Sequence, residues 1–279
     1  MNILFDLWHI ITAFILGLVE GLTEFAPVSS TGHMIIVDDM WLHSKELFSG
    51  PVANTFKVVI QLGSILAVIV VFKDRFINML HLSRDKASDA GNKLKLSQVI
   101  VGIIPAGILG FLVEDYIDEY LFSVETVLIG LVVGAVLMII ADRYQIKNSG
   151  ITETVDQITY KQAFGMGLFQ CIGLWPGFSR SGSTISGGVL LGMSHRAASD
   201  FTFIMAVPVM AGASGLSLIK NWQYFTVDAL PFFVAGFISA FIFALVSIRF
   251  FLKLINRVKL TPFAIYRIVV ALVLLILIS

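Results

Sequence analysis

The chain of 279 residues is 57% hydrophobic and 14% charged, carries 23 phenylalanines and has a mean hydropathy of +0.89. That balance excludes a soluble domain of this length and predicts an integral membrane protein. The net charge of zero says little about partners, because in a membrane protein it matters which loops carry Lys and Arg.

The N-terminus has no basic region of the kind that opens a signal peptide. It runs into an amphipathic segment with Asp6 and His9 and is expected to be retained. A spanning helix needs about 20 apolar residues, and 54–72, 96–113, 123–142, 199–219 and 229–248 qualify, with a sixth from 261 to the end. Shorter apolar segments at 10–25 and 34–42, and again at 162–175 and 184–193, flank two polar stretches, EGLTEFAPVSSTGH (Glu20–His33) and PGFSRSGST (Pro176–Thr184). Each pair reads as a broken helix that enters the bilayer and returns. The expected fold is an all-α integral membrane protein, a single domain over 1–279, with about six transmembrane helices and two re-entrant helix pairs.

The two polar stretches resemble each other at an offset of 150 residues. Gly167 falls on Gly17, Leu168 on Leu18, Gln170 on Glu20, Trp175 on Phe25, Ser179 on Ser29, Ser181 on Thr31 and Gly182 on Gly32. Each half then holds one re-entrant pair and three crossings. Because three is odd, the halves, approximately 1–142 and 160–279, enter the membrane from opposite sides as an inverted repeat, with a site near the midplane. Charge supports this count. With loop 73–95 inside (Lys73, Arg75, Arg84, Lys86, Lys93, Lys95), Arg143, Lys147, Lys161, Arg196, Arg249, Lys253, Arg257 and Lys259 also fall inside. Only Lys45, Lys57 and Lys220, with the acidic turn Glu114, Asp115, Asp118 and Glu119, fall outside, as do both termini. Full double crossings in place of the re-entrant pairs would give the same parity; the shortness of the segments favours re-entry.

Glu20 and Glu24, four apart, share one helix face, and the helix is expected to end at Pro27, just before Ser29, Ser30, Thr31, Gly32 and His33. An ionised residue at the bilayer centre costs about 2.5–3.5 kcal/mol on insertion scales, so Glu20, Glu24 and Arg180 should face a cavity with partners. A Ser/Gly-rich turn entering a helix directs N–H groups and hydroxyls at an anion, and arginine adds a phosphate fork. Ser179, Ser181, Ser183 and Thr184 are the expected phosphate donors of the second loop, with Ser29 and Thr31 from the first. Ser30 beside His33 suggests an activated nucleophile, although the histidine could itself take the phosphoryl group or protonate a leaving oxygen. The carboxylates of Glu20 and Glu24 could hold Mg²⁺ or Ca²⁺. These parts suit hydrolysis of a lipid-borne phosphate.

Both motifs resemble those of the bacterial undecaprenyl pyrophosphate phosphatases associated with bacitracin resistance, the glutamate-rich motif at EGLTEFAPVSSTGH and PGxSRSxxT at PGFSRSGST, and the likeness extends over essentially the whole chain. The resemblance implies conversion of the C55 isoprenoid pyrophosphate to the monophosphate carrier reused in peptidoglycan synthesis. It also implies a divalent metal, a site facing the outer side of the inner membrane, a helical inverted repeat that is often dimeric, and functional positions at Glu20, Glu24, Ser30, His33, Ser179, Arg180 and Thr184. Membrane lipids and the lipid substrate are the partners expected, and no nucleic acid.

Plainer readings compete. Ser183 and Ser186 could serve close helix packing, and Glu20 could merely pair with Arg180. His9, His43, His81 and His195 read as solvated, Gln61 as either a helix-packing or a site-lining amide with packing favoured, Cys171 as a packing residue with no disulfide partner, and Trp8, Trp41, Trp175 and Trp222 as interfacial anchors, although Trp175 adjoins the second motif. The rival function is a transporter or flippase for a phosphorylated lipid, since inverted repeats with broken helices also build carriers. The serine, histidine and two carboxylates of the first motif favour the enzyme.

Overall fold

The computed structural model describes residues 3–47, 50–80, 93–121, 123–147, 152–224, 227 and 229–278. Arg84, Lys86 and His81 lie outside these residues. Among the described residues there is no strand, only one isolated bridge between Thr152 and Met193. The helices are α1 (Ile3–Thr23), α2 (Ser30–Met34, continued by a π-helical Ile35–Leu42), α3 (Ser44–Leu47), α4 (Gly50–Val71), α5 (Lys73–Met79) and α6 (Leu96–Tyr120). They are followed by α7 (Val124–Lys147), α8 (Tyr160–Ile172), α9 (Arg180–Leu190), α10 (His195–Lys220), α11 (Leu230–Val258) and α12 (Thr261–Ile278).

Within α6, α7, α10 and α11 are four stretches long and apolar enough to cross a membrane, and α4 makes a fifth when joined to α5 across a 79° bend. The apolar parts of α1 (Leu7–Thr23) and α12 (Thr261–Leu277) are shorter. Phe111, Leu112 and Phe250 lie exposed on these helices, a surface that water would penalise and lipid would not. The chain is a multi-pass membrane protein.

Two close helix contacts position everything else. Along α1, Gly17 lies so near the Gly236 carbonyl of α11 that a Cβ would collide with it, and a Cβ at Gly21 would stand 2.5 Å from the Ala240 carbonyl. Ser239 and Ser247 of α11 donate to the Phe14 and Leu22 carbonyls at 2.7 and 2.8 Å. Along α8, Gly167 presses against the Gly102 carbonyl of α6 in the same way, beside Pro105. Small residues let the backbones approach where lipid gives apolar helices no reason to associate. The loop after α1 is pinned by Phe25, fully buried and edge-on to Phe203 of α10 at 5.2 Å.

At one end of the bundle, Asp142 of α7 accepts from the Leu260 and Thr261 N–H groups and from the Thr261 hydroxyl, and pairs with His195 Nε2 at 2.6 Å. This corrects the reading of His195 as a solvated histidine. The ring is buried, because as the first residue of α10 it meets a carboxylate from another helix and is not left at the surface. On the same side, Arg75 pairs with Asp156 at 2.6 Å, and Arg196 with Asp200 and the Leu252 carbonyl at 3.0 Å each.

Candidate active site

The helices after both motifs begin earlier than their Ser/Gly content suggests. Ser29 (φ 72°, ψ 98°) caps α2 and Ser179 (φ 75°, ψ 111°) caps α9, so Ser30–His33 and Arg180–Thr184 form first helical turns instead of loop. The physical reason is the cap: each serine hydroxyl accepts from the N–H three residues on, Gly32 at 3.3 Å and Gly182 at 3.1 Å. A positive φ at a non-glycine residue costs about 1–3 kcal/mol and persists only where the surroundings enforce it. It occurs here at equivalent positions of the two motifs.

Between the caps lies a cavity of about 250 Å³, lined by Glu24, Ser29, Ser30 and Thr31 from the first motif and by Gly177, Ser179 and Arg180 from the second. Gln61, Trp175 and Met210 complete much of the wall. Of the two readings of Gln61, the site-lining one holds, and Trp175 lines the cavity while donating to the Thr126 carbonyl at 3.1 Å.

Glu24 is the hub. α1 ends at Thr23, short of the expected Pro27, but one more helical hydrogen bond, Glu24 N–H to the Glu20 carbonyl at 2.9 Å, carries the turn through Glu24. Its Oε2 accepts from Ser30 Oγ at 2.6 Å and its Oε1 from Arg180 Nη2 at 2.8 Å. The second nitrogen, Arg180 Nη1, is buried with no hydrogen-bond partner among the described residues. Glu20 is buried beside Glu24, within the field of Arg180, and its Oε1 likewise lacks a partner among the described residues.

The remaining predicted residues stand behind the cavity wall. Ser181 Oγ joins Ser179 Oγ at 3.2 Å and donates to the Ala26 carbonyl at 3.2 Å, a second bridge between the motifs. Ser183 and Thr184, expected to meet phosphate, are fully buried and donate back to the Arg180 carbonyl at 2.9 and 2.8 Å. Thr184 also accepts from Thr202 at 3.0 Å. The expected pairing of Ser30 with His33 is replaced by that of Ser30 with Glu24. His33 is held elsewhere, Nδ1 on the Ser29 carbonyl at 2.8 Å and Nε2 on Tyr266 Oη at 2.7 Å.

Sequence reasoning missed Tyr266 and Arg267 of α12. Arg267 is fully buried and carried a readable signal, a cation in the middle of an apolar segment, which by its insertion cost calls for a protein-lined partner. Tyr266 carried none.

As for a metal, no group of three or more His, Cys, Asp or Glu side chains is placed to hold an ion among the described residues. Two adjacent carboxylates, one with an unpaired buried oxygen, fit a hard cation that takes its remaining ligands from phosphate and water.

The chain matches the family described as bacitracin resistance protein BacA over residues 13–273. Among known proteins it is 74% identical over 268 residues to an undecaprenyl-diphosphatase of Geobacillus sp. (strain WCH70), covering 96% of this chain and 97% of the relative. It is 70% identical over 263 residues to one of Anoxybacillus flavithermus, covering 94% and 95%. To one of Bacillus subtilis it is 64% identical over 271 residues, covering 96% and 98%. On a match that spans nearly its whole length, the chain belongs to the bacitracin resistance protein BacA family.

Proposed function

We infer that this chain is an undecaprenyl-diphosphatase. It hydrolyses undecaprenyl pyrophosphate to undecaprenyl phosphate and inorganic phosphate, returns the carrier to peptidoglycan synthesis and confers bacitracin resistance. Relatives of that name at high identity support the substrate. The observation that carries the chemistry is the pairing of Ser30 and Arg180, from the two motifs, on the two oxygens of one carboxylate, Glu24, with all three lining one cavity.

Arg180 holds the pyrophosphate and spreads the charge of the transferring group. Ser30 Oγ attacks the terminal phosphorus while Glu24 Oε2, already its acceptor at 2.6 Å, takes the proton. The bond from that phosphorus to the bridging oxygen breaks, releasing undecaprenyl phosphate, and water then opens the phosphoserine to give inorganic phosphate. Ser29, Thr31 and Ser179 line the phosphate site. Ser181, Ser183 and Thr184 act through the loop that carries Arg180, and His33 through Ser29. Bound Mg²⁺ or Ca²⁺, held by Glu20 and Glu24, would neutralise phosphate charge.

The fold proposed for this activity is an inverted repeat of about 1–142 and 160–279, with six crossings, two re-entrant pairs, and both termini and the site on the outer side of the bacterial inner membrane. The matched Ser29 and Ser179 caps support it, as do the reciprocal contacts of Gly17 on α11 and Gly167 on α6.

The test is phosphate release from undecaprenyl pyrophosphate by purified protein in detergent, with and without chelator. Release is expected to require the metal and to fall about 10²–10⁴-fold in Ser30→Ala, the range of a lost acid–base or nucleophilic group. No release by folded wild-type protein would favour the carrier.

A further inference from the structure

The last helix sends two consecutive side chains to the two motifs. Tyr266 reaches the first, its hydroxyl 2.7 Å from His33 Nε2 and its ring stacked on the imidazole, with centroids 5.6 Å apart and planes at 10°. Arg267 reaches the second. Its Nη2 donates to the carbonyls of Gly177 at 2.9 Å and Phe178 at 2.8 Å, and to Gly130 of α7 at 3.1 Å. The backbone makes room for it, since a Cβ at Gly182 would stand 3.1 Å from Nη1 and one at Gly134 would collide with Nη2.

A buried guanidinium held by backbone carbonyls is costly to keep within a bilayer, and the carbonyls it holds belong to the turn that leads into Ser179. That turn starts α9 in a strained conformation and so aims Arg180. On the other side, the Ser29 carbonyl can only accept, so His33 Nδ1 carries a hydrogen. In the neutral ring Nε2 is then the acceptor of the Tyr266 O–H. The Ser29 carbonyl thus sets the tautomer, and Tyr266, hydrogen-bonded and stacked, holds the plane of a ring anchored to the cap immediately before Ser30.

We propose that Tyr266 and Arg267 are positioning residues for the hydrolysis, a pair on α12 that holds Ser30 and Arg180 at their working separation by bracing one motif through His33 and the other through its carbonyls. The proposal rests on the phosphatase reading.

The test uses the full chain in detergent with undecaprenyl pyrophosphate, measuring kcat, KM and thermal midpoint for wild type, Y266F, R267K, H33A and the Y266F/H33A double variant. Y266F and R267K are expected to lower kcat by roughly 10- to 100-fold with KM within about threefold, because a small misplacement of reacting groups weakens the transition state more than binding. In the H33A background Y266F should change kcat by less than about twofold, since two residues acting in series are not additive. Y266F at the wild-type rate, or an equal loss in both backgrounds, overturns the tyrosine's role; R267K at the wild-type rate overturns the arginine's. Should R267K fail to fold, Gly134→Ala, which crowds the guanidinium, replaces it, and an unchanged kcat there is the overturning result. A wild-type protein that releases no phosphate defeats the function itself, a result distinct from variants that match an active wild type.

Discussion

Arg180 and Glu24, 156 residues apart in the chain, are joined by a hydrogen-bonded ion pair of 2.8 Å in the wall of the cavity between the two motifs. Both side chains are largely shielded, so removing one leaves the other as an uncompensated charge. Arg180→Ala is expected to lower kcat by about 10³-fold or more, the scale of a lost arginine at a transferring phosphoryl group. Glu24→Ala should do the same by removing the acceptor for Ser30. Each single variant should also be less stable than wild type, whereas the double variant should regain stability without activity. Wild-type-like turnover in either single variant would remove the site as described.

Helix proximity gives a second prediction. Gly17→Ala and Gly167→Ala place a Cβ against a facing carbonyl and should each cost about 1–3 kcal/mol, as overpacking does. A Cβ at Gly107 meets nothing within 4 Å, so Gly107→Ala should be neutral or slightly stabilising. Denaturation in mixed detergent would show the contrast, and equal stability of Gly167→Ala and Gly107→Ala would deny the close contact.

Acid should loosen the loop at Asp156. Burial alone would raise this carboxyl, but the hydrogen bonds from Arg75 and from the Leu94 N–H outweigh it and hold it below the usual carboxylate range. A carboxyl depressed in the fold contributes stability that is complete above its unfolded value, about 3.9, and is lost as pH falls through the lower folded value. The thermal midpoint of wild type should therefore exceed that of Asp156→Asn by a constant amount above about pH 5, and the gap should close below about pH 4. A gap that persists unchanged to pH 3 would contradict this.

Orientation is tested by single cysteines in a Cys171→Ser background. Cysteines at Trp222, which is exposed between α10 and α11, and at Asp118 should label from outside the cell, and one at Asp89, which lies outside the described residues, only after permeabilisation. The reverse pattern would invert the assignment of faces.

What could be read from the residues alone was whatever lipid makes conspicuous. Glu24, Ser30 and Arg180 stood out because polar groups inside apolar sequence need partners, and the expected spans fall on single helices from α4 to α12. Contacts between distant parts of the chain were not legible. His195 reads as solvated because its partner Asp142 is 53 residues away, and Gln61 stays open between packing and the site because nothing local places it on a cavity. At Ser183 and Thr184 the structure shows a use of the hydroxyls that composition does not announce. A serine-rich stretch suggests a loop of phosphate donors, yet once Ser179 caps the helix these hydroxyls turn back onto the Arg180 carbonyl. The pairing of Ser30 with Glu24 in place of His33 joins the end of α1 to the start of α2 across the intervening turn, which spacing along the chain does not reveal.

The seating of α1 on α11 also bears on how the protein is made. Ser239 meets Phe14 across 225 residues and Ser247 meets Leu22 across another 225, so the helix that leads into the first motif is synthesised long before the surface that receives it. Gly17 and Gly21 must wait, facing lipid or the insertion machinery, until nearly the whole chain has emerged. By contrast α8 finds α6 already in place. Assembly of the first motif is thus a late event in biogenesis, and a chain truncated before α11 would carry Glu24 and Ser30 with no seat for the helix that presents them.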